Sequence, residues 1–395
     1  MANEPIYLAS DNWSGAHPKI VEAMTVANHG AWAPYGQSDR DAALDAKFSE
    51  LFETKTSVFL CTTGTAANAL AIASMMRPGD VFYAHHEAHV RVDECGAPIF
   101  LSPGLQIDGV AGAFGKMNPQ ALATALETTA GGGLNAGRIG ALGITQATEA
   151  GTLYTPAELD TLIDLIHQHR RDAPIHMDGA RFANALAATN ASPADMTWRR
   201  GVDILSFGGT KNGCWCAEAI LVFNPAYAEH MAYIRKRAGH LASKMRFMTA
   251  QFEAYLKNGL WLKLADHANQ KAIALETLVE ASPRMRLAWP REINEVFAVV
   301  AKSDLAKLNE AGLHCALWQP PTAERDRVGS NEAMIRMVTS WATDEKDIEQ
   351  VGALLDTRVR AVSLKCAPNV RWGVCRLFLL GASDLWRGGV GRPVG

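Results

Sequence analysis

Short apolar runs alternate with helical patterns between roughly residues 55 and 225. Runs at Ser57–Cys61, Val81–Ala84, Pro98–Leu101, Gly140–Gln146, Ile175–Met177, Ile204–Phe207 and Ala219–Phe223 predict strands. Several are almost continuously apolar, as in a sheet covered on both faces. Helices fit between them. The clearest begins Thr155-Pro156-Ala157-Glu158, a capping box with proline at the first helical position, and continues with Leu159, Leu162, Ile163 and Ile166 on one face. This alternation predicts an α/β domain built on a mainly parallel, seven-stranded sheet.

After Asn224-Pro225 the pattern turns helical until about Glu280. Residues 293–301 and 334–339 then read as strands of a smaller α+β domain, closed by a helix over Thr343–Val362 with acidic residues in its first turn. The expected organisation is a large domain over residues 1–250 and a small domain over 251–362. Residues 363–395, with two cysteines, two tryptophans and a glycine-rich end but no clear periodicity, form an atypical tail to which no function attaches.

Composition narrows the classes. A chain of 395 residues exceeds one hydrophobic core, which agrees with two domains. Its 48% apolar and 20% charged residues are those of an ordinary globular protein. A net charge of -3 gives no electrostatic case for nucleic acid or an anionic membrane. The seven cysteines are odd in number and scattered, and Cys214-x-Cys216 has neither redox nor metal-site spacing. Together with an N-terminus that lacks the regions of a signal peptide, they predict a cytoplasmic protein. No apolar run approaches the ~20 residues of a membrane span.

Two strand ends carry the chemistry. One reads Pro174-Ile175-His176-Met177-Asp178-Gly179-Ala180-Arg181 and the other Ile204-Leu205-Ser206-Phe207-Gly208-Gly209-Thr210-Lys211. Singly, an Asp-Gly after a strand is a turn and a lysine there is solvated. At the carboxyl ends of successive strands, where α/β sheets bind ligands, they match the needs of pyridoxal phosphate (PLP): an amine to form a Schiff base and a carboxylate to keep the pyridine nitrogen protonated. The run Thr62-Thr63-Gly64-Thr65-Ala66-Ala67-Asn68 opens a helix after a strand and offers amides to a phosphate at Gly64 and Thr65. His89, just beyond the Val81–Ala84 strand, is a flat ring for stacking on a pyridine. His85 and His86 read as solvated loop histidines, and no metal is expected.

Ser10-Asp11-Asn12, Pro34-Tyr35-Gly36, Thr63-Gly64-Thr65-Ala66-Ala67-Asn68, His89 with Glu94, Asp178-Gly179-Ala180-Arg181 and Thr210-Lys211 occur in this order. The series resembles the low-specificity L-threonine aldolases, fold type I (aspartate-aminotransferase-like) PLP enzymes of the β-eliminating lyase/threonine aldolase group, over roughly residues 6 to 360. The resemblance implies that Lys211 holds PLP, that Asp178 pairs with its pyridine nitrogen, and that Gly64, Thr65 and Arg246 contact its phosphate, with Lys244 competing for the last role. It implies Arg181 near the ring hydroxyl and substrate carboxylate, and Ser10 and Arg336 on that carboxylate. Glu94 joins the substrate-binding set. Tyr35 would reach the site of a neighbouring subunit, in a homotetramer with shared active sites.

The family histidine near the substrate hydroxyl is replaced here by Glu149, in Thr145-Gln146-Ala147-Thr148-Glu149-Ala150-Gly151. Either Glu149, or His89 through a water, is then the base for the β-hydroxyl. The implied reaction is retro-aldol cleavage of L-threonine, L-allo-threonine and other β-hydroxy-α-amino acids to glycine and an aldehyde. Rival readings are another fold type I activity, a β-eliminating lyase or an aminotransferase, and a catalytically silent PLP-fold binding protein.

Overall fold

A computed structural model of the chain describes residues 5–356, which lie in one compact unit. The expected tail over 363–395 and the last residues of the expected C-terminal helix lie outside the described residues. Among the described residues thirteen strands run in chain order: β1 Ile6–Tyr7, β2 Ser57–Cys61, β3 Asp80–His85, β4 Gln106–Val110, β5 Arg138–Thr145, β6 Ile175–Gly179, β7 Ile204–Gly208, β8 Glu218–Val222, β9 Met285–Leu287, β10 Glu295–Ala301, β11 Leu313–His314, β12 Ala316–Trp318 and β13 Glu332–Val338.

Seven of them make one sheet in the order β2-β8-β7-β6-β5-β3-β4. The five strands from β7 to β4 are parallel, and β8 runs antiparallel to both β7 and β2. Strands β3, β6, β7 and β8 are buried along their whole length, which is why their sequences are apolar on both faces. A second, antiparallel sheet of four strands has the order β12-β13-β10-β9, and β1 pairs with β11. Between β5 and β6 runs the helix Pro156–His169. It has the expected capping box, with the Thr155 hydroxyl accepting from the Glu158 amide and the Glu158 carboxylate accepting from the Thr155 amide, and it buries Leu159, Leu162, Ile163 and Ile166.

Four expectations need correction. His85 is no solvated loop histidine but ends β3 and is buried. Pro98–Leu101 is not a strand but part of a short helix, Ala97–Leu101. Proline in the first turn and a left-handed Gly96 before it suit a helix start, and Phe100 is 82% exposed, so the run is not buried on two faces. The strand that takes its place is β4, at the sheet edge. Its Gln106, Asp108 and Gly109 make it half-exposed and break the apolar pattern. The helical stretch after residue 225 is three main helices, Ala228–Arg237, Arg246–Leu256 and Leu260–Ala281. Asn258 and Gly259, both in the left-handed region, separate the last two. The C-terminal helix is Glu345–Leu354, capped by Asp344.

Among the described residues no helix is long and apolar enough to cross a membrane.

Candidate active site

The parallel strands deliver their chemistry at their carboxyl ends. Asp178 closes β6 beside Thr145 of β5 and Ser206 of β7, and Lys211 sits in the helical turn Thr210–Asn212 that follows β7. The two strand ends touch: a Cβ on Gly208 would stand 2.5 Å from the Ala180 carbonyl oxygen, so only glycine fits there. Gly213 ends the lysine turn with φ +105°, a conformation that L side chains rarely adopt.

Asp178 and Lys211 line one cavity of about 310 Å³, together with Gly64, Thr65, Asn68, His89, Glu149 and Glu218. That size is at the lower end for small-molecule sites, which span roughly 300–1,000 Å³. At its head the helix Gly64–Met75 starts on Thr63, whose hydroxyl accepts from the Ala66 amide while its carbonyl accepts from Ala67. The amides of Gly64 and Thr65 have no such acceptor among the described residues. The positive end of the helix dipole therefore opens into the cavity.

A hydrogen-bonded chain runs beneath the cavity. His89 Nδ1 donates to Glu94 Oε1 at 3.0 Å. Asn68 Nδ2 donates to the same Glu94 oxygen and to Asp178 Oδ2, each at 2.8 Å. Asp178 Oδ1 accepts from the Ala180 amide at 3.0 Å. The bond to Glu94 raises His89 above its ordinary pKa although burial opposes it. Burial raises Glu94, with the hydrogen bonds from His89 and Asn68 acting the other way. Below Asp178, His176 lies within hydrogen-bonding distance of the Ser206 hydroxyl (3.0 Å), and burial pushes its pKa down to about 4.

Glu149 reaches the cavity from a loop laced to its surroundings. The Gln146 side chain bonds both the amide and the carbonyl of Tyr154, and the Thr148 and Thr152 hydroxyls lie 2.8 Å apart. A second cavity of about 450 Å³ shares His89 and Glu149 and is walled by Trp318, Pro320 and Pro321.

The arginines are held in a separate cluster. Arg181 Nε and Nη2 donate to the two oxygens of Asp11 at 2.8 and 3.2 Å, and Nη2 lies 3.3 Å from Glu295 Oε1. Arg336 reaches Glu295 Oε1 at 3.4 Å and lies over Trp318 at 4.3 Å, with its Nε buried and unpartnered among the described residues. Burial raises Asp11, but the charges of Arg181 and Lys211 outweigh it and leave the carboxyl below its ordinary value. Ser10 caps the turn Asp11–Trp13 by accepting from the Asn12 amide, and Asn12 lines the cavity.

Of the residues expected from sequence, Lys211, Asp178, His89, Glu149, Gly64 and Thr65 meet at the cavity, and Glu94 backs it. Tyr35 and Arg246 are not brought to it. Tyr35 is 41% exposed with Lys236 Nζ 5.2 Å from its ring, and Arg246 donates to the Gly30 carbonyl at 2.8 Å. Lys244 is exposed. Sequence patterns did not reveal Asn68 as a bridging residue, the partners Asp11 and Glu295, or Glu218.

Glu218 is buried beside the lysine turn, where it accepts from the amides of Gly209 at 3.1 Å and Thr210 at 3.3 Å. Burial pushes its pKa from 4.5 up to about 7. The folded protein thus keeps a proton that the unfolded chain releases near pH 4.5, so this stabilisation is full below that pH and lost as pH rises through about 7. For cofactor-free protein we expect the melting temperature of Glu218→Gln, relative to wild type, to rise between pH 5 and pH 8. A difference that stays constant with pH would contradict this.

The fold and site define a fold type I PLP enzyme. The chain belongs to the beta-eliminating lyase family, whose sequence profile matches residues 7–303. It is 39% identical to a low specificity L-threonine aldolase of Pseudomonas sp. (strain NCIMB 10558) over 89% of this chain and 98% of that one. A solved threonine aldolase of Leishmania major superposes with a TM-score of 0.81 at 28% identity, covering 89% of this chain and 98% of that chain. Oryza sativa TDC, solved with PLP and tryptamine, gives a TM-score of 0.67 at 13% identity over 89% of this chain and 83% of that chain, which shows a common fold.

Proposed function

We propose that this chain uses PLP to cleave the Cα–Cβ bond of β-hydroxy-α-amino acids, L-threonine and L-allo-threonine among them, giving glycine and an aldehyde. The observation that carries this reading is the meeting of Lys211, Asp178, His89 and Glu149 in one cavity.

The donor set fits the cofactor. Lys211 Nζ has no hydrogen-bond or ion-pair partner among the described residues, so its amine is available for a covalent link. Asp178 supplies the carboxylate for the pyridine nitrogen, His89 the flat ring, and the Gly64 and Thr65 amides the phosphate contacts. When bound, PLP draws electrons away from the Cα of an amino acid joined to it, which allows the Cα–Cβ bond to break.

The protein's own residues do the rest. Arg181 is held by two carboxylates, Asp11 and Glu295, whereas Arg336 is held more loosely, by Glu295 and the Ala9 carbonyl at 3.4 Å each, so Arg336 is our choice for the substrate carboxylate, with Ser10 beside it in the chain's N-terminal turn. Fixing that carboxylate sets which Cα bond lies across the ring plane. Glu149 and His89 are the two groups placed to take the β-hydroxyl proton. With Nδ1 committed to Glu94, His89 exchanges protons through Nε2. Lys211 Nζ is placed to return a proton to Cα. The second cavity behind His89 and Glu149 leaves room for varied β-substituents, which suits low specificity.

The same reading includes a division into a large part up to residue 250 and a small part over 251–362, supported by the separate seven-stranded and four-stranded sheets. It includes a homotetramer in which Tyr35 and Arg246, away from their own cavity, serve a neighbouring copy. It also includes a cytoplasmic location, supported by free thiols at all five described cysteines.

A cleavage that leaves glycine must protonate glycine at Cα, and the step is reversible. The PLP-loaded protein is therefore expected to exchange one α-hydrogen of glycine for deuterium in D2O, read by proton NMR. No exchange above the rate with free PLP would overturn the proposal.

A further inference from the structure

Asn68 lies on the first turns of the helix that offers its N-terminus to the cavity, yet it makes no contribution to that terminus. It is buried, and only its nitrogen is engaged: Nδ2 gives one hydrogen to Glu94 Oε1 and the other to Asp178 Oδ2, both at 2.8 Å. Its Oδ1 is buried with no partner among the described residues. An amide NH2 has two donors and a carboxylate only acceptors, so a neutral amide can hold two carboxylates at once.

Glu94 Oε1 is shared, because His89 Nδ1 also donates to it. The ring wall of the cavity and the carboxylate at its far end are therefore joined through four side chains, His89, Glu94, Asn68 and Asp178. Without the bridge, two buried carboxylates would face each other with no donor between them. One would then take up a proton.

We infer that Asn68 is a positioning residue of the cofactor site, tying the carboxylate that pairs with the pyridine nitrogen to the imidazole that covers the ring. This rests on the PLP reading of the site. Asn68 keeps Asp178 aimed, and links it through Glu94 to His89. The ionisable groups around the chain are His89, Glu94, Glu149, Asp178, Lys211 and, beneath Asp178, the buried His176.

The test uses the PLP-loaded full chain and reads two properties besides turnover: PLP affinity, and the pH midpoint of the visible absorption band of the bound cofactor. Asn68→Ala is expected to weaken PLP binding by about tenfold, by analogy with the loss of outer-shell partners at metal sites, and to move the band midpoint by about one pH unit. Glu94→Gln should move the same midpoint, and the double variant should move it no further than the larger single change, because both cut one chain.

A structural role alone would lower thermal stability and leave the midpoint in place. If folded Asn68→Ala keeps the wild-type midpoint and affinity, the inference is overturned while the PLP reading stands. Should Asn68→Ala not fold, Asn68→Ser, which keeps one donor, carries the same comparison. If wild type itself forms no PLP band, the reading and the inference fall together.

Discussion

Lys211→Ala lowers glycine formation from L-threonine by at least about 10⁴-fold, equivalent to roughly 5.4 kcal/mol of barrier. No other described lysine lines the cavity, and neither His89 nor Glu149 can replace a primary amine in a covalent link. The variant should still fold, because Lys211 Nζ makes no hydrogen bond or ion pair among the described residues whose loss would leave a buried partner. It should also still take up PLP non-covalently through the Gly64 and Thr65 amides and Asp178. Borohydride then separates the two forms: it fixes the cofactor to wild type at Lys211 and leaves it dialysable from the variant. Substantial turnover by Lys211→Ala, or fixation at another residue, would remove Lys211 from its assigned place.

Asp178→Asn is expected to cost about 10³-fold in turnover, at the upper end for losing one preorganised electrostatic contact. An amide has nearly the same shape as the carboxylate, and its oxygen can still accept from the Ala180 amide or from Asn68. It lacks the charge that, on the proposed reading, would hold a proton on the pyridine nitrogen. PLP affinity should therefore fall much less than turnover, and the two together identify an electronic role rather than a packing one. A variant retaining more than about a tenth of wild-type turnover would contradict the role.

Residues whose position follows from the end of a strand are legible in the sequence. Asp178 and Lys211 close β6 and follow β7, and adjacent parallel strands bring their carboxyl ends together without help from the rest of the chain. His89 and Glu149 follow β3 and β5 for the same reason. What the sequence hides is contact between distant segments. Asn68 meets Asp178 across 110 residues and Asp11 meets Arg181 across 170, and no local pattern signals either.

Asn68 is also masked by its own surroundings, since a run of threonine, glycine and alanine reads as a phosphate cup. Polar strands are the other blind spot. Edge strand β4 needs an apolar pattern on one face only, whereas the more apolar Pro98–Leu101 forms a helix turn. Tyr35 and Arg246 fall outside their own cavity, so a single chain gives them no visible partner in the chemistry.

The retro-aldol reading of this cavity depends on its breaking Cα–Cβ and not a bond to a β-substituent. Purified protein with PLP, given L-threonine and separately L-allo-threonine, distinguishes the two through four products: acetaldehyde, glycine, ammonia and 2-oxobutanoate. Acetaldehyde and glycine are expected in equal amounts from at least one diastereomer, and neither with Lys211→Ala. Ammonia with 2-oxobutanoate in their place, or no product from PLP-loaded protein, would contradict Cα–Cβ cleavage.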